Sequence, residues 1–330
     1  MRERFIFFIW KMLVPIFLCP YLAAFGANSA TAPASLKFNR LSLKEGLSQS
    51  IIYAMVQDPR GFIWFATEDG LNRYDGYKFA VIKKRDQDPQ SGLSHDNIQT
   101  ALIDRDGIMW LGTLYGGLTR YDVDRGAFTH YTHDPKDDQS LSSNNIYCLS
   151  DGRRGKLWIG TNSGLNSLDK ASGKCRAISL PNQKPGQKRE IRALFIDKQN
   201  TLWIGTEHGE LYVKKQNVTT CKRFHLSLDK SELKAPPSGK INRIHIDRRD
   251  RLWIGSDSGL LRIDHYSAGR SARVIHRYNH HPSIGHSIGH DRVWDILEDK
   301  DGTLWFASEN GLNRYHAEAD RFSVYRANPG

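Results

Sequence analysis

Four histidines within eleven positions are the residues of this sequence with the most obvious chemistry. Imidazoles at short spacing can bind Zn²⁺. However, the segment that holds them, NHHPSIGHSIGHDRV (279–293), aligns without a gap on THDPKDDQSLSSNNI (132–146). The histidines therefore occupy ordinary loop positions of a repeat, and we predict neither a metal site nor a cofactor. The four are His280, His281, His286 and His290.

A second set of polar residues recurs in short turns of the form Thr/Ser-x-x-Gly. Side chains from several such turns can converge on one face of a repeat protein and bind a ligand there. Carboxylates and amides can hydrogen-bond to sugar hydroxyls, and an aromatic ring can stack on a sugar. Ordinary turn polarity is the alternative explanation. The candidate ligand-binding residues are Glu68, Asp69, Tyr115, Asn162, Glu207, His208, Asp257, Glu309 and Asn310.

No recognisable catalytic motif accompanies these residues. The sequence contains no GxSxG, no glycine-rich phosphate loop before a helix, no HExxH and no helical pair for histidine phosphorylation. The repeated aspartates could build turns or act as catalytic acids. Several equivalent catalytic acids would serve no purpose, so we assign these aspartates to turns. We therefore predict that this chain is not an enzyme, with no catalytic residues. A propeller lyase or glycosidase stays open as an alternative, because paired carboxylates cannot be recognised from sequence alone.

The elements that position these residues are six copies of one phrase, such as NTLWIGTEHGELYV, built around tryptophans 45 to 52 residues apart. A branched aliphatic residue lies twelve positions before each tryptophan, and a Thr or Ser lies three positions after it. An aspartate lies six positions before it in five copies, and Gly152 takes that place in the third. We predict a structural core formed by Trp64, Trp110, Trp158, Trp203, Trp253 and Trp305.

Each repeat is predicted to form four short strands joined by turns. Apolar residues flank each tryptophan on both sides, which indicates a strand covered on both faces. Four-stranded units of this length are blades of an all-β propeller, so we assign residues 36–330 to six blades. A further strand-like segment at 36–41 precedes the first repeat. It predicts a seventh, incomplete blade, and an open gap that would allow self-association.

The N-terminus has the composition of a secretory signal. Basic residues precede apolar runs and then small residues, so we assign residues 1–30 to a signal peptide. An uncleaved membrane anchor through residues 5–25 stays open as an alternative. The net charge of +11 comes from basic residues that are spread singly or in pairs. We therefore predict a periplasmic protein that does not bind nucleic acid.

The repeated phrase D-x-x-G-x-L-W-I-G-T-x-x-G-L-x-R-Y-D resembles the two-component regulator propeller repeat. Good instances are DGTLW (301–305) and SLSSNNI (140–146), and the resemblance covers about residues 36–326. It implies a periplasmic sensor that binds a poly- or oligosaccharide-like or other small ligand for a downstream kinase or diguanylate cyclase module. A scaffold propeller that binds another protein is the third alternative.

Overall fold

The structure is a computed structural model that describes residues 38–183, 188–227, 239–264, 266, 272–273 and 276–326. The chain divides into two units, Met1–Arg40 and Leu41–Gly330. Of the first unit only residues 38–40 are described, and they have no regular secondary structure. The predicted signal peptide lies outside the described residues. Within the described part, no helix is long and apolar enough to span a bilayer.

The second unit is a β-propeller of six four-stranded blades, as predicted. Two short 3₁₀ turns, Leu43–Glu45 and Pro89–Ser91, are the helical elements of the described part. A two-stranded parallel pair lies outside the blades and consists of β17 (Leu226–Ser227) and β21 (Ala272–Arg273). The blade strands are β1 (Ile52–Gln57), β2 (Ile63–Thr67), β3 (Gly70–Tyr74) and β4 (Phe79–Ile82); β5 (Ile98–Ile103), β6 (Met109–Thr113), β7 (Leu118–Asp122) and β8 (Ala127–Tyr131); β9 (Ile146–Asp151), β10 (Lys156–Thr161), β11 (Gly164–Asp169) and β12 (Cys175–Ile178); β13 (Ile191–Ile196), β14 (Leu202–Thr206), β15 (Leu211–Lys214) and β16 (Lys222–Phe224); β18 (Ile241–Ile246), β19 (Leu252–Ser256), β20 (Gly259–Ile263) and β22 (His276–Tyr278); and β23 (Val293–Glu298), β24 (Leu304–Ser308), β25 (Gly311–His316) and β26 (Arg321–Tyr325).

The repeated aspartate builds the turn between the first two strands of a blade, as its spacing predicts. In the first blade, Asp58 Oδ1 accepts hydrogen bonds of 3.0 Å from the backbone N–H groups of Arg60 and Phe62. Its Oδ2 accepts a third from the indole Nε1 of Trp64, also at 3.0 Å. The aspartate thus satisfies both the turn and the buried indole donor, which the sequence analysis did not anticipate.

Four of the repeated tryptophans, Trp64, Trp110, Trp203 and Trp253, are buried in apolar cores between neighbouring blades. Trp158 is partly buried against such a core, and Trp305 of the last blade is partly exposed. Trp203 of β14 belongs to a cluster that includes Ile241, Ile244 and Ile254 of the next blade. The small residue two positions after each tryptophan permits this approach: a Cβ on Gly205 would lie 2.5 Å from Ile241 Cγ2. Close packing of blade on blade therefore requires glycine or alanine at this position.

The first strands of the blades are the innermost ones, because those of consecutive blades lie side by side from β1 to β23. The innermost strands of the first and last blades expose apolar side chains. Ile52 and Met55 of β1 are 37% and 64% exposed, whereas the equivalent Ile241 and Ile244 are 0% and 1% exposed. Leu297 of β23 is 63% exposed. The end blades thus expose apolar surface of the kind that the inner blades bury.

The strand predicted at 36–41 lies only partly within the described residues. Residues 38–41 have no strand assignment, and residues 36 and 37 lie outside the described range. The seventh blade therefore stays a prediction.

The three cysteines beyond the N-terminal segment are buried and free. Burial raises the pKa of Cys148 to about 12 and the pKa values of Cys175 and Cys221 to about 11. A thiol with such a pKa forms little thiolate at neutral pH. These residues therefore act as small apolar side chains of the cores.

Blades 2 and 3 are joined by a lysine that the sequence pattern did not single out. Lys170 Nζ lies 2.7 Å from Asp104 Oδ2 and 2.6 Å from Asp151 Oδ1. Burial acts to raise the pKa of Asp104, but the Lys170 ammonium and the Trp110 indole outweigh it, so the pKa is lowered. The ion pair therefore stabilises the fold above the ordinary carboxyl pKa, and this contribution is lost as the pH falls.

We expect Lys170→Met to destabilise the protein by about 1–3 kcal/mol at neutral pH, because Asp104 loses a buried partner. Acid unfolding should also begin at a higher pH, since the carboxyl then holds its proton more tightly. Lys198→Met is the control, because Lys198 and Asp250 are 3.4 Å apart and both are exposed. Urea unfolding at several pH values measures both effects. Equal effects of the two substitutions would contradict the prediction.

Candidate ligand-binding face

The turns between the second and third strands of the blades are held rigidly by a repeated hydrogen bond. The Thr67 hydroxyl donates to the Gly70 carbonyl at 2.8 Å and accepts from the Asp69 N–H at 3.1 Å. Gly70 has a φ of +105°, which glycine adopts without strain. The equivalent turns of the other blades lie on the same side of the propeller, and we call this side the loop face.

The nine predicted ligand-binding residues all lie on or beside these turns, but several are engaged by side chains of the protein itself. Lys83 lies 2.7 Å from Asp69, and Arg192 Nε lies 2.5 Å from Glu207. Asp257 accepts from Asn242 at 2.9 Å and Glu309 accepts from the indole of Trp294 at 2.8 Å, and Arg292 lies 3.7 and 3.8 Å from these two carboxylates. Asn162 is partly buried and accepts from the Ser163 hydroxyl at 3.2 Å, whereas Glu68, Tyr115, His208 and Asn310 are exposed.

A β-bulge near the start of each innermost strand brings further residues to the loop face. In blade 4, Ile191 pairs with Thr206 and Ala193 pairs with Gly205, which leaves Arg192 between them without a partner in the ladder. Such a bulge re-aims the side chain of the extra residue. The same irregularity occurs in all six blades, at Tyr53, Gln99, Tyr147, Arg192, Asn242 and Trp294.

Four of these bulge residues, in successive blades, form a belt of aromatic and polar side chains around the axis. We call Tyr147, Arg192, Asn242 and Trp294 the inner belt. The Arg192 guanidinium lies 3.6 Å from the centre of the Tyr147 ring of the preceding blade. The Asn242 amide donates to the Val293 carbonyl of the following blade at 2.9 Å.

The charges around the inner belt are mixed in sign. Burial raises the pKa of Tyr147, and the nearby Arg192 opposes that shift, so the phenol stays neutral at physiological pH. Lys240 and Arg292 lie 5.2 and 5.5 Å from the Trp294 ring. The belt therefore offers ring faces and an amide group, and Glu207, Asp257 and Glu309 place carboxylates beside it.

The sequence analysis proposed candidates in the turns but did not single out the inner belt. The signal was present, because each belt residue directly follows the branched aliphatic that opens the innermost strand. Residue types at that position vary from Gln to Trp, and that variation separates it from the constant framework positions. What could not be read from the sequence is the bulge that turns the side chain toward the axis.

The histidine cluster takes the loop role that the alignment predicts. His280 Nδ1 lies 2.8 Å from the Ile288 carbonyl, and the equivalent His133 Nδ1 lies 2.6 Å from the Leu141 carbonyl. The His281 N–H donates to the hydroxyl of Ser287 at 3.1 Å. In the part of the chain that the structure describes, no three His, Cys, Asp or Glu side chains are grouped so that they could hold a metal ion.

Comparison with known proteins identifies the repeats. The sequence model of the two-component regulator propeller family matches five segments, at residues 46–69, 92–115, 140–163, 186–208 and 287–310. Histidine kinase P4 of Formosa agariphila is 26% identical over an alignment that covers 53% of this chain and 16% of the kinase. The chain thus spans less than a fifth of the length of that curated relative.

Solved structures share the fold. The extracellular domain of a putative hybrid two-component system from B. thetaiotaomicron is 24% identical, with a TM-score of 0.73, and the match covers 88% of this chain and 37% of that one. Virginiamycin B lyase from Staphylococcus aureus is 16% identical with a TM-score of 0.60, and the match covers 84% of this chain and 85% of the lyase. At these identities the likeness concerns the propeller architecture.

Proposed function

Because the repeats of this chain belong to the two-component regulator propeller family, we propose that it is the ligand-sensing propeller of a bacterial periplasmic receptor, with the loop face as its binding surface. The observation that carries the proposal is the repeated bulge. It places a variable side chain at the same point of every blade, next to a turn that also carries variable polar residues. A structural role alone would not require such variety at one repeated position.

The ligand that we propose is a poly- or oligosaccharide. Trp294 is 43% exposed beside the carboxylate of Glu309, and it presents a ring face with hydrogen-bonding groups around it. Arg192 and Glu207 form a fixed polar pair on the other side of Asn242. Sugar rings need this combination of stacking surfaces and donor–acceptor pairs, because their faces are apolar and their edges carry hydroxyls.

The proposal includes the protein's partners and the absence of catalysis in this chain. The chain would bind its ligand unchanged and pass the signal to a histidine kinase or diguanylate cyclase module of the same receptor. The kinase relative and the hybrid-system neighbour support this arrangement. The likeness to a lyase concerns the fold.

The test is a thermal-shift and calorimetric screen of the purified chain against neutral oligosaccharides. A ligand that binds the native state raises the melting temperature by mass action. We expect Trp294→Ala and Asn242→Ala each to weaken binding about tenfold or more, as the loss of ~1.4 kcal/mol would do. Tyr77→Ala is the matched control, because Tyr77 is an exposed aromatic residue in a turn on the opposite side of the first blade.

Two results would contradict the proposal. One is a screen in which no saccharide changes the melting temperature. The other is binding that Trp294→Ala and Tyr77→Ala affect equally. Recovery of a chemically altered saccharide after incubation would instead support the lyase or glycosidase alternative.

A further inference from the structure

On the side opposite the loop face, a cavity of about 510 Å³ lies between the third and fourth blades. Its volume falls within the ~300–1,000 Å³ of ligand pockets. Turns after β9 and β15 form its walls, with β12 on one side. We call it the basic cavity, because its lining includes Arg153, Arg154, Lys156, Arg176, Lys214 and Lys215 and no Asp or Glu.

The tryptophan in this cavity is the one whose aspartate partner is missing. In the other five repeats the indole Nε1 donates to the aspartate six residues earlier, at 2.7 to 3.0 Å. At Trp158 that place is Gly152, and the neighbouring Asp151 pairs with Lys170 at 2.6 Å instead. Trp158 Nε1 faces Gly152, where an added Cβ would lie 3.0 Å from it. This side chain is only partly exposed, yet its N–H makes no hydrogen bond within the described residues.

Within the described part of the chain, none of the six cations of the basic cavity forms a close ion pair with a carboxylate. Lys214 Nζ lies 5.7 Å from the Trp158 ring and donates to the carbonyl of Val218. Burial lowers the pKa of Lys214, and the nearby Lys156 lowers it further. Six positive charges are therefore concentrated here, and the nearby anion Asp169, opposite Lys156 in the β10–β11 ladder, offsets them only in part.

In a comparable cavity between the fifth and sixth blades, positive charges are paired with carboxylates. It has a volume of about 600 Å³ and holds both arginines and carboxylates. Arg251, at the repeat position of Lys156, lies 2.7 Å from Asp247, and Arg249, at the position of Arg154, lies 3.5 Å from Glu318. Equivalent positions of the repeat thus carry paired charges in the cavity of the fifth and sixth blades and unpaired charges in the basic cavity.

We propose that the basic cavity is a second ligand site, which binds a saccharide carrying an oxyanion group such as carboxylate, sulfate or phosphate. The cations would neutralise the oxyanion, and the free Trp158 N–H would donate to it. Thr219, Thr220 and Ser179 line the same cavity and supply hydroxyl groups for the sugar. This site lies beyond the proposed function, since it shares no residue with the inner belt.

The test uses calorimetry on the whole chain in about 0.1 M salt, where charges are screened beyond ~10 Å. The probes are glucose 6-sulfate, glucose 6-phosphate, glucuronic acid, unmodified glucose and inorganic sulfate. We expect binding of at least one charged sugar, and a loss of about tenfold or more in Arg154→Gln/Lys215→Gln, whose replaced side chains are exposed. Trp158→Phe keeps an aromatic ring but removes the indole N–H, and it should weaken binding severalfold.

Arg249→Gln is the matched control, because it removes one arginine at the equivalent position of the fifth blade. The proposal is overturned if no charged sugar binds, or if Arg249→Gln weakens binding as much as the cavity variant does. Inorganic sulfate that binds as tightly as glucose 6-sulfate would overturn the saccharide specificity. Loss of loop-face binding in Trp294→Ala leaves this test unaffected, so the two proposals fail separately.

Discussion

Replacing Trp203 by alanine is expected to lower the free energy of unfolding by about 3–5 kcal/mol, the usual cost of truncating a buried aromatic side chain. Trp203 is fully buried between the fourth and fifth blades. Its ring makes edge-to-face contacts with Phe224 and Tyr266 at 5.1 and 5.4 Å. Its indole also donates to Asp197 at 3.0 Å, so the substitution leaves a buried carboxylate oxygen without that donor.

Urea unfolding followed by circular dichroism measures the change. Trp294→Ala is the control, because Trp294 is a partly exposed tryptophan outside the repeated phrase, and its loss should cost far less. A cost below about 1 kcal/mol for Trp203→Ala would mean that the side chain is not part of the core in solution. The prediction that the repeated tryptophans form the structural core would then be wrong.

The architecture could be predicted because the repeated phrase marks framework positions that allow few residue types. The place of Gly205 must stay small to let Ile241 approach, and the place of Thr67 needs a hydroxyl to hold its turn. Such constraints recur in every blade, so a single sequence contains six examples of each. The second role of Asp58, as acceptor for Trp64, escaped notice because turn formation already explained it.

The two candidate sites were harder to predict, because each joins residues from neighbouring blades. Arg192 and Tyr147 meet only after two bulges and one blade-to-blade contact have been formed. Lys156 and Lys215 are far apart in the sequence, and scattered basic residues suggest no more than a solvated surface. The absence of aspartate at Gly152 was visible from the start, but its consequence for the Trp158 indole depends on the fold.

A second large effect on the free energy of unfolding is expected when one position of the repeat is replaced by alanine in an inner blade, but not when the same position is replaced in the first blade. Ile244 and Met55 both lie nine residues before the tryptophan of their repeat, on the innermost strands β18 and β1. Ile244 is buried against the preceding blade, whereas Met55 is exposed. We expect Ile244→Ala to cost about 2–5 kcal/mol, and Met55→Ala to cost less than about 1 kcal/mol.

Both substitutions remove a side chain of similar size from the same place in a blade, so the difference between them reports the cover that a neighbouring blade provides. Urea unfolding at several protein concentrations is the measurement, because self-association through the exposed surface would make the stability depend on concentration. Exposed apolar surface of this kind favours association, and Met55→Ala should then reduce it. Equal costs for the two substitutions at every concentration would mean that the face of the first blade is covered within a single chain, and the predicted open gap would be wrong.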